Sequence, residues 1–210
     1  MEAVQKAKWR LFIIVGLLST IADQATKIWA RASLPILGHG TGEGGQCVIP
    51  IDYLPDATTK MAHCAGKSVD VISGFWTWRF SINPGSAFGL FGSLAVARVL
   101  LSVVGIAATI GMIVMLKKSR PDQKILHWAL ALVAGGAIGN LIDRIYYGGV
   151  TDFISWDLKF MVWPTFNVAD IVLVIGVGLM FIDIQIENKK TNAKKADRQR
   201  KAGMVKNLEA

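Results

Sequence analysis

Four stretches of this chain stay apolar for about the 20 residues that a helix needs to cross a bilayer. They cover residues 9–29, 96–116, 126–145 and 168–186, and the pattern predicts four membrane-spanning helices. Two longer segments, 31–95 and 146–167, separate the first span from the second and the third from the fourth. Within the first, Phe75-Trp76-Thr77-Trp78-Arg79-Phe80-Ser81-Ile82 is aromatic and β-branched with partial alternation. That pattern predicts a strand or hairpin lying at the membrane interface. Residues 150–154 predict a further short strand, and Trp156 and Trp163 stand in the same segment. No internal repeat is visible.

Composition agrees with this pattern. The chain is 52% hydrophobic and only 18% charged, with a mean hydropathy of +0.43. Soluble domains carry about a quarter charged residues, so a polytopic membrane protein is the class to expect. The length fits one compact unit, and disorder is excluded everywhere but at the tail. The 21 Gly show no three-residue period, which excludes a collagen-like chain.

The formal net charge of +8 resembles a nucleic-acid signature until it is divided along the chain. Residues 189–210 hold eight basic side chains, from Lys189 to Lys206, against Asp197 and Glu209, leaving the rest nearly neutral. A basic run directly after an apolar span reads as an orientation signal and a contact for anionic lipid, not as a nucleic-acid arm. Lys6, Lys8 and Arg10 precede the first span, and Lys117, Lys118, Arg120 and Lys124 fill the link between the second and third. With four spans all three basic clusters fall on one side, so both termini are expected in the cytoplasm and the two long segments outside it. The domain reading is one four-span unit over 1–188, with an extended loop at about 40–73, and a basic cytoplasmic tail over 189–210.

Ala30-Arg31-Ala32 has the small-x-small form of a signal-peptide cleavage site. Asp23, Gln24 and Lys27 stand between it and the apolar run, too long and too charged a gap, so the first span is expected to be retained. Cys47 and Cys64 both fall in the long outer segment, where an oxidising compartment permits a disulfide; two unpaired thiols are the alternative. His39, His63 and His127 show no ligand spacing, and no metal site is expected.

Ionisable residues within spans are costly and therefore candidates for function. Given the inferred direction, Asp23 and Lys27 lie near the outer end of the first span and Asn140, Asp143 and Arg144 at the outer end of the third. Asn167 and Asp170 open the fourth, Asn83 leads into the second, and Asp152 sits between the third and fourth. The polar groups thus converge at one depth. Each also has a plain structural reading. Asp23 and Lys27 form a favourable i, i+4 pair; Arg144 can snorkel to headgroups; the glycines at 135, 136 and 139 permit close helix packing; Asn167 can cap the fourth helix and Asp170 suit its first turn. Asp183, near the inner end, reads as structural. What stands out is a pair of carboxylates, Asp152 and Asp170, that a short hairpin can bring together. Two carboxyls sharing a site hold one proton between them, which suits one to activate water and the other to protonate a carbonyl oxygen.

At these residues the sequence resembles the lipoprotein signal peptidases (signal peptidase II) of bacterial inner membranes. The matching stretches are Asp23-Gln24-Ala25-Thr26-Lys27, Asn83-Pro84-Gly85-Ser86-Ala87-Phe88, Gly139-Asn140-Leu141-Ile142-Asp143-Arg144, Gly148-Gly149-Val150-Thr151-Asp152-Phe153-Ile154 and Phe166-Asn167-Val168-Ala169-Asp170. Five ordered motifs over about 9–186 make a specific match. The resemblance implies an all-α bundle of four transmembrane helices with a small extracytoplasmic β-cradle and a peripheral outer helix or flap. It implies an intramembrane aspartic endopeptidase that removes the signal peptide of a diacylglyceryl-modified prolipoprotein just before the lipidated cysteine. Asp152 and Asp170 match the catalytic dyad. Asn83, Gly85, Asn140, Arg144 and Asn167 match positions that line the substrate site; Asp23 and Asp143 match polar supports, and Lys27 is grouped with them. The resemblance further implies inhibition by globomycin and no cofactor, and the protein is expected to act as a monomer among membrane lipids.

Two features depart from the family pattern. Ser86 stands where a small apolar residue is usual, and the 40–73 stretch is longer than most members carry. That stretch is expected to form a lid or flap extension, stapled by Cys47 and Cys64 if they bond. The rivals are a small proton-coupled transporter using Asp23, Asp143 and Asp170, and a non-catalytic scaffold packing through its Gly-rich helix faces. The tail is expected to be dispensable for chemistry: a chain ending at Asn188 should turn over substrate in detergent like the full chain, and loss of turnover would refute this.

Overall fold

The computed structural model describes residues 2–35, 67–83, 85 and 94–208. In chain order the elements are α1 (Glu2–Ser33), β1 (Val69–Ile72), β2 (Trp76–Asn83), α2 (Leu94–Lys118), α3 (Lys124–Tyr146), β3 (Val150–Trp156) and α4 (Val168–Leu208). Four helical segments are long and apolar enough to cross a membrane: Gln5–Ser33, Val96–Lys118, Lys124–Tyr146 and Val168–Gln199. Cys47, Cys64, Ser86 and the greater part of the 40–73 stretch fall outside the described residues.

Helix α3 is the centre of the bundle, packed against α1, α2 and α4. Its buried face is built from Ala129, Ala131, Ala134, Gly135, Gly136, Ala137 and Gly139, which let the neighbouring backbones approach closely. A Cβ on Gly135 would lie 2.7 Å from the Gly16 carbonyl oxygen of α1, and one on Gly136 would lie 2.6 Å from the Ala169 carbonyl oxygen of α4. The outer faces of α1, α2 and α4 expose Leu17, Leu18, Val99, Val103, Val174 and Val177, as suits helices surrounded by hydrocarbon.

The strands form one antiparallel sheet in the order β1-β2-β3. Trp76 pairs with Trp156 and Ser81 with Asp152, with a register shift between Trp78 and Ser81. The unanticipated strand is β1, which is exposed throughout and occupies the end of the stretch read as a flap extension. Beneath the sheet, Ala30 and Leu34 from the end of α1 and just beyond it pack with Phe80, Ile82, Phe153 and Ile154. Trp29 meets Trp78 and Phe153 edge-on, with ring centroids 5.3 and 6.1 Å apart, so the sheet rests on the last turns of α1.

The basic segment after residue 188, the one place where composition did not exclude disorder, continues α4 as helix to Leu208. It is rich in Lys and Ala and lacks Pro, a composition that favours helix. Glu187 pairs with Lys190 at 2.9 Å and Asp197 with Lys201 at 2.9 Å, at the i, i+3 and i, i+4 spacings that support an exposed helix.

The helix contacts predict opposite signs for one substitution. Gly136→Ala should lower the thermal midpoint in detergent, by about 1–3 kcal/mol of overpacking against a backbone carbonyl. Gly178→Ala in α4, where a Cβ meets nothing within 4 Å, should leave the midpoint unchanged or raise it, by up to about 1 kcal/mol of helix propensity.

Candidate active site

The end of the bundle that carries the sheet also holds the polar residues of all five motif-bearing elements, α1, β2, α3, β3 and α4. Its base is a buried charge cluster. Asp23, Lys27 and Asp143 are fully buried, with Lys27 Nζ 2.8 Å from Asp23 Oδ2 and 3.7 Å from Asp143 Oδ2. The pair from α1 is therefore not the exposed helix-surface pair that its spacing alone allows. Gln24 joins the same cluster, donating to Asp143 Oδ1 at 3.3 Å and to the Gly139 carbonyl at 3.0 Å. Gly139 has no room for a side chain, because a Cβ there would collide with the Asp23 carboxylate.

Above the cluster, two amides connect the charges to the candidate dyad. Lys27 Nζ donates to Asn140 Oδ1 at 2.8 Å. This orients the amide so that Asn140 Nδ2 donates to Asp170 Oδ1 at 2.9 Å. Asn167 Nδ2 donates to Asn140 Oδ1 at 3.2 Å and to Asp152 Oδ1 at 2.7 Å. A single amide nitrogen thus touches the network of one aspartate and the carboxylate of the other.

Local sequence explains why Asn167 and Asp170 sit where they do. Asp170 N donates to Asn167 Oδ1 at 3.0 Å, and Asn167 N donates back to Asp170 Oδ2 at 3.2 Å. This is a reciprocal capping box at the start of α4, with Asp in the place more often held by Glu or Gln. The next free N–H, of Ala169, donates to Asp23 Oδ1 at 2.9 Å. The capping and first-turn readings of these residues are therefore realised within the same contacts that assemble the site.

Asp152 reaches this point on β3. Ile154 and Phe166 exchange backbone hydrogen bonds of 2.9 and 3.0 Å, tying β3 to the residue before Asn167. The hairpin between them folds back through a bond from Trp163 N to the Trp156 carbonyl at 2.8 Å and turns at Lys159, whose φ is 67°. Asp152 is buried, and burial first, then the charge of Asp170, pushes its carboxyl from 3.8 up to about 7, against hydrogen bonds from Asn167 and Asn83. Asn83 ends β2 opposite Val150 and accepts the Gly85 N–H at 3.0 Å; Gly85 has φ 87°, a turn conformation that a side chain would strain.

Arg144 is half-buried at the end of α3. Its Nη1 donates to the Asn140 carbonyl at 3.3 Å, the charges of Asp170, Asp152 and Asp143 act on it, and its Nε is buried with no hydrogen-bond partner among the described residues. Asp183 lies apart at the other end, accepting from Gln123 at 3.2 Å. Among the described residues no three His, Cys, Asp or Glu side chains converge as ligands for a metal ion.

Three participants were not singled out from sequence: Gln24, Arg31 and Thr151. Arg31 Nη2 pairs with Asp143 Oδ2 at 2.7 Å and bonds Thr151 Oγ1. A signal for it existed, since Asp23, Lys27 and Arg31 follow one another at i, i+4 and i+8 on one helix face.

The family described as Signal peptidase (SPase) II matches residues 15–186. The lipoprotein signal peptidase of Symbiobacterium thermophilum is 37% identical over 183 residues, covering 87% of this chain and 99% of the relative. That of Pelotomaculum thermopropionicum is 37% identical over 147 residues, covering 70% and 92%. A solved bacterial membrane enzyme superposes with a TM-score of 0.62 at 25% identity, covering 82% of this chain and 91% of the other. A match that spans the four helices, the sheet and every polar motif between them places this chain in the signal peptidase II family, the proteases that process lipoproteins.

Proposed function

We propose that this chain is an aspartic endopeptidase in which Asp152 and Asp170 cleave a diacylglyceryl-modified prolipoprotein before its lipidated cysteine. The observation that carries the reading is the Asn167 junction, which bonds Asp152 through its side chain and Asp170 through its cap. The transporter alternative is weakened because Asp23 and Asp143 are held in buried ion pairs with Lys27 and Arg31.

The two acids have different surroundings, which divides the labour. Both Asp170 oxygens accept N–H groups, from Asn140 and from the Asn167 backbone, and the residue stands in the first turn of α4, where negative charge is favoured. Asp170 acts as the carboxylate base. Asp152, pushed up to about 7 by burial and by its neighbour, carries the shared proton. Water attacks the scissile carbonyl carbon while Asp170 takes its proton and Asp152 protonates the carbonyl oxygen. The tetrahedral intermediate then collapses as Asp170 returns a proton to the leaving nitrogen and Asp152 regains its own. The products are a signal peptide ending in a carboxyl group and a lipoprotein beginning with the cysteine amine. Arg144, whose Nε has no hydrogen-bond partner among the described residues, and the Asn83 turn hold the peptide backbone.

The substrate's acyl chains keep it in the bilayer, and a site at the level where apolar helices meet the sheet receives the junction of peptide and lipid. The positive-inside rule places the basic ends in the cytoplasm and this site at the outer face of the inner membrane. The chain acts as a monomer, with globomycin expected to compete for the same site.

Asp152→Asn and Asp170→Asn should each abolish cleavage of a diacylglyceryl prolipoprotein in a gel-shift assay, a loss of at least roughly 10²–10⁴-fold, while the protein still inserts. Asp183→Asn should keep substantial activity. Full activity in either dyad variant would sink the mechanism.

The raised Asp152 pKa sets a pH dependence with a definite sign. Between about 3.8 and 7 the unfolded chain releases this proton while the folded chain keeps it. Stability from this group therefore falls as pH rises through that window and is level above it. Asp152→Asn should remove this slope, so that its melting temperature gains on the native protein from pH 4 to 7. Native turnover should decline as pH rises through about 7, where Asp152 loses the proton it donates; a flat profile across that range would count against the assignment.

A further inference from the structure

We propose that Arg31 is a positioning residue for Asp152, acting through Thr151. The inference rests on the dyad reading above and adds a residue that lies outside the five motifs.

Arg31 occupies the last turn of α1 and joins three elements with one guanidinium. Its Nη2 pairs with Asp143 Oδ2 on α3 at 2.7 Å. Its Nε and Nη2 both donate to Thr151 Oγ1 on β3, at 2.9 and 2.6 Å. Its guanidinium carbon lies 3.7 Å from the ring centroid of Tyr147, the residue that follows α3. The fork is committed to these partners so fully that Nη1 is buried without a hydrogen bond among the described residues. Arginine suits such a place because its planar fork and flat face bind and stack together.

Thr151 is held twice. While Arg31 holds its hydroxyl, Asp143 Oδ2 accepts its backbone N–H at 2.8 Å. Asp143 thus serves Arg31 and the strand with the same oxygen, and the three groups close a ring. Thr151 is completely buried, so water does not replace either contact.

Successive side chains in a strand point to opposite faces. Thr151 turns toward Arg31 and Asp152 toward Asn167, so fixing the first on one face fixes the aim of the second on the other. Removing the fork leaves Asp152 chemically intact but frees the peptide that carries it. Misplacement of a reacting group by about 1 Å can cost on the order of 10²-fold in rate.

The test measures kcat, KM and melting temperature for Arg31→Gln, Arg31→Lys, Thr151→Val and the double variant R31Q/T151V. Thr151→Val keeps the shape and strand preference of the residue, which guards against a folding failure. Arg31→Gln and Thr151→Val should each lower kcat by about 10–100-fold with KM within roughly twofold, and the double variant should be no worse than the poorer single one. Arg31→Lys, which keeps the charge and loses the fork, should fall between the native chain and Arg31→Gln.

Native kcat in folded Arg31→Gln, with only a lower melting temperature, would reduce Arg31 to a structural role and overturn the proposal. A raised KM at native kcat would make it a substrate contact and overturn it equally, as would losses that multiply in the double variant. Asp152→Asn is run beside them. Native turnover in that variant would remove the dyad reading and this inference together, whereas an inactive Asp152→Asn beside a fully active Arg31→Gln would remove this inference alone.

Discussion

Four charged side chains are neutralised inside an apolar bundle, and the rest of the molecule is arranged around that requirement. Asp23 and Asp143 lie where an isolated carboxylate would be prohibitively expensive, and Lys27 and Arg31 answer them at 2.8 and 2.7 Å. The pairing fixes α1 against α3 in both rotation and height, because each ion must meet its partner with its remaining hydrogen bonds satisfied. The small residues of α3 make this possible. Gly139 leaves room for the Asp23 carboxylate, and Gly135 and Gly136 bring the backbones of α1 and α4 near enough for side chains of this length to meet. An apolar replacement could pack such a bundle, but it would not orient Asn140.

The same groups serve packing and site geometry at once. A helix starting inside a protein must satisfy its first N–H groups. Here Asn167, Asp170 and Asp23 do so. The cap thereby sets the position of one candidate acid, and the leftover amide of Asn167 reaches the other. Each plain structural reading of these residues was right about the contact. The same residue thus joins the Asp152 carboxylate to the cap that holds Asp170, and Arg144 Nε has no hydrogen-bond partner among the described residues.

The opposite end of the bundle shows what a purely structural polar cluster looks like. Lys8 is buried and donates to the Lys117 and Ser119 carbonyls at 3.3 and 2.9 Å, closing the end of α2. Ser119 Oγ stands 3.0 Å from His127 Nε2, and Gln123 meets Asp183. These groups answer helix ends and one another, and the acids nearby are matched by a cation: Arg120 bonds both Asp122 and Glu187, at 3.2 and 2.6 Å.

Much of the architecture was legible in the chain because its signals are local. Spans follow from runs of apolar residues, strands from the aromatic alternation at 75–82, and the candidate acids from their rarity in apolar surroundings. The helix through the basic tail was missed because charge was weighed there and helix propensity was not. Arg31 was missed for another reason: its meaning depends on Thr151, 120 positions away, and on the ring of Tyr147. Residue types and their order along the chain therefore decided which segments enter the membrane and which groups are available for chemistry, since hydrophobicity and periodicity act within a few turns. Which carboxylate faces which amide was decided by packing α1, α3, β3 and α4 together. Burial and hydrogen bonding between distant segments exist only once the chain has folded.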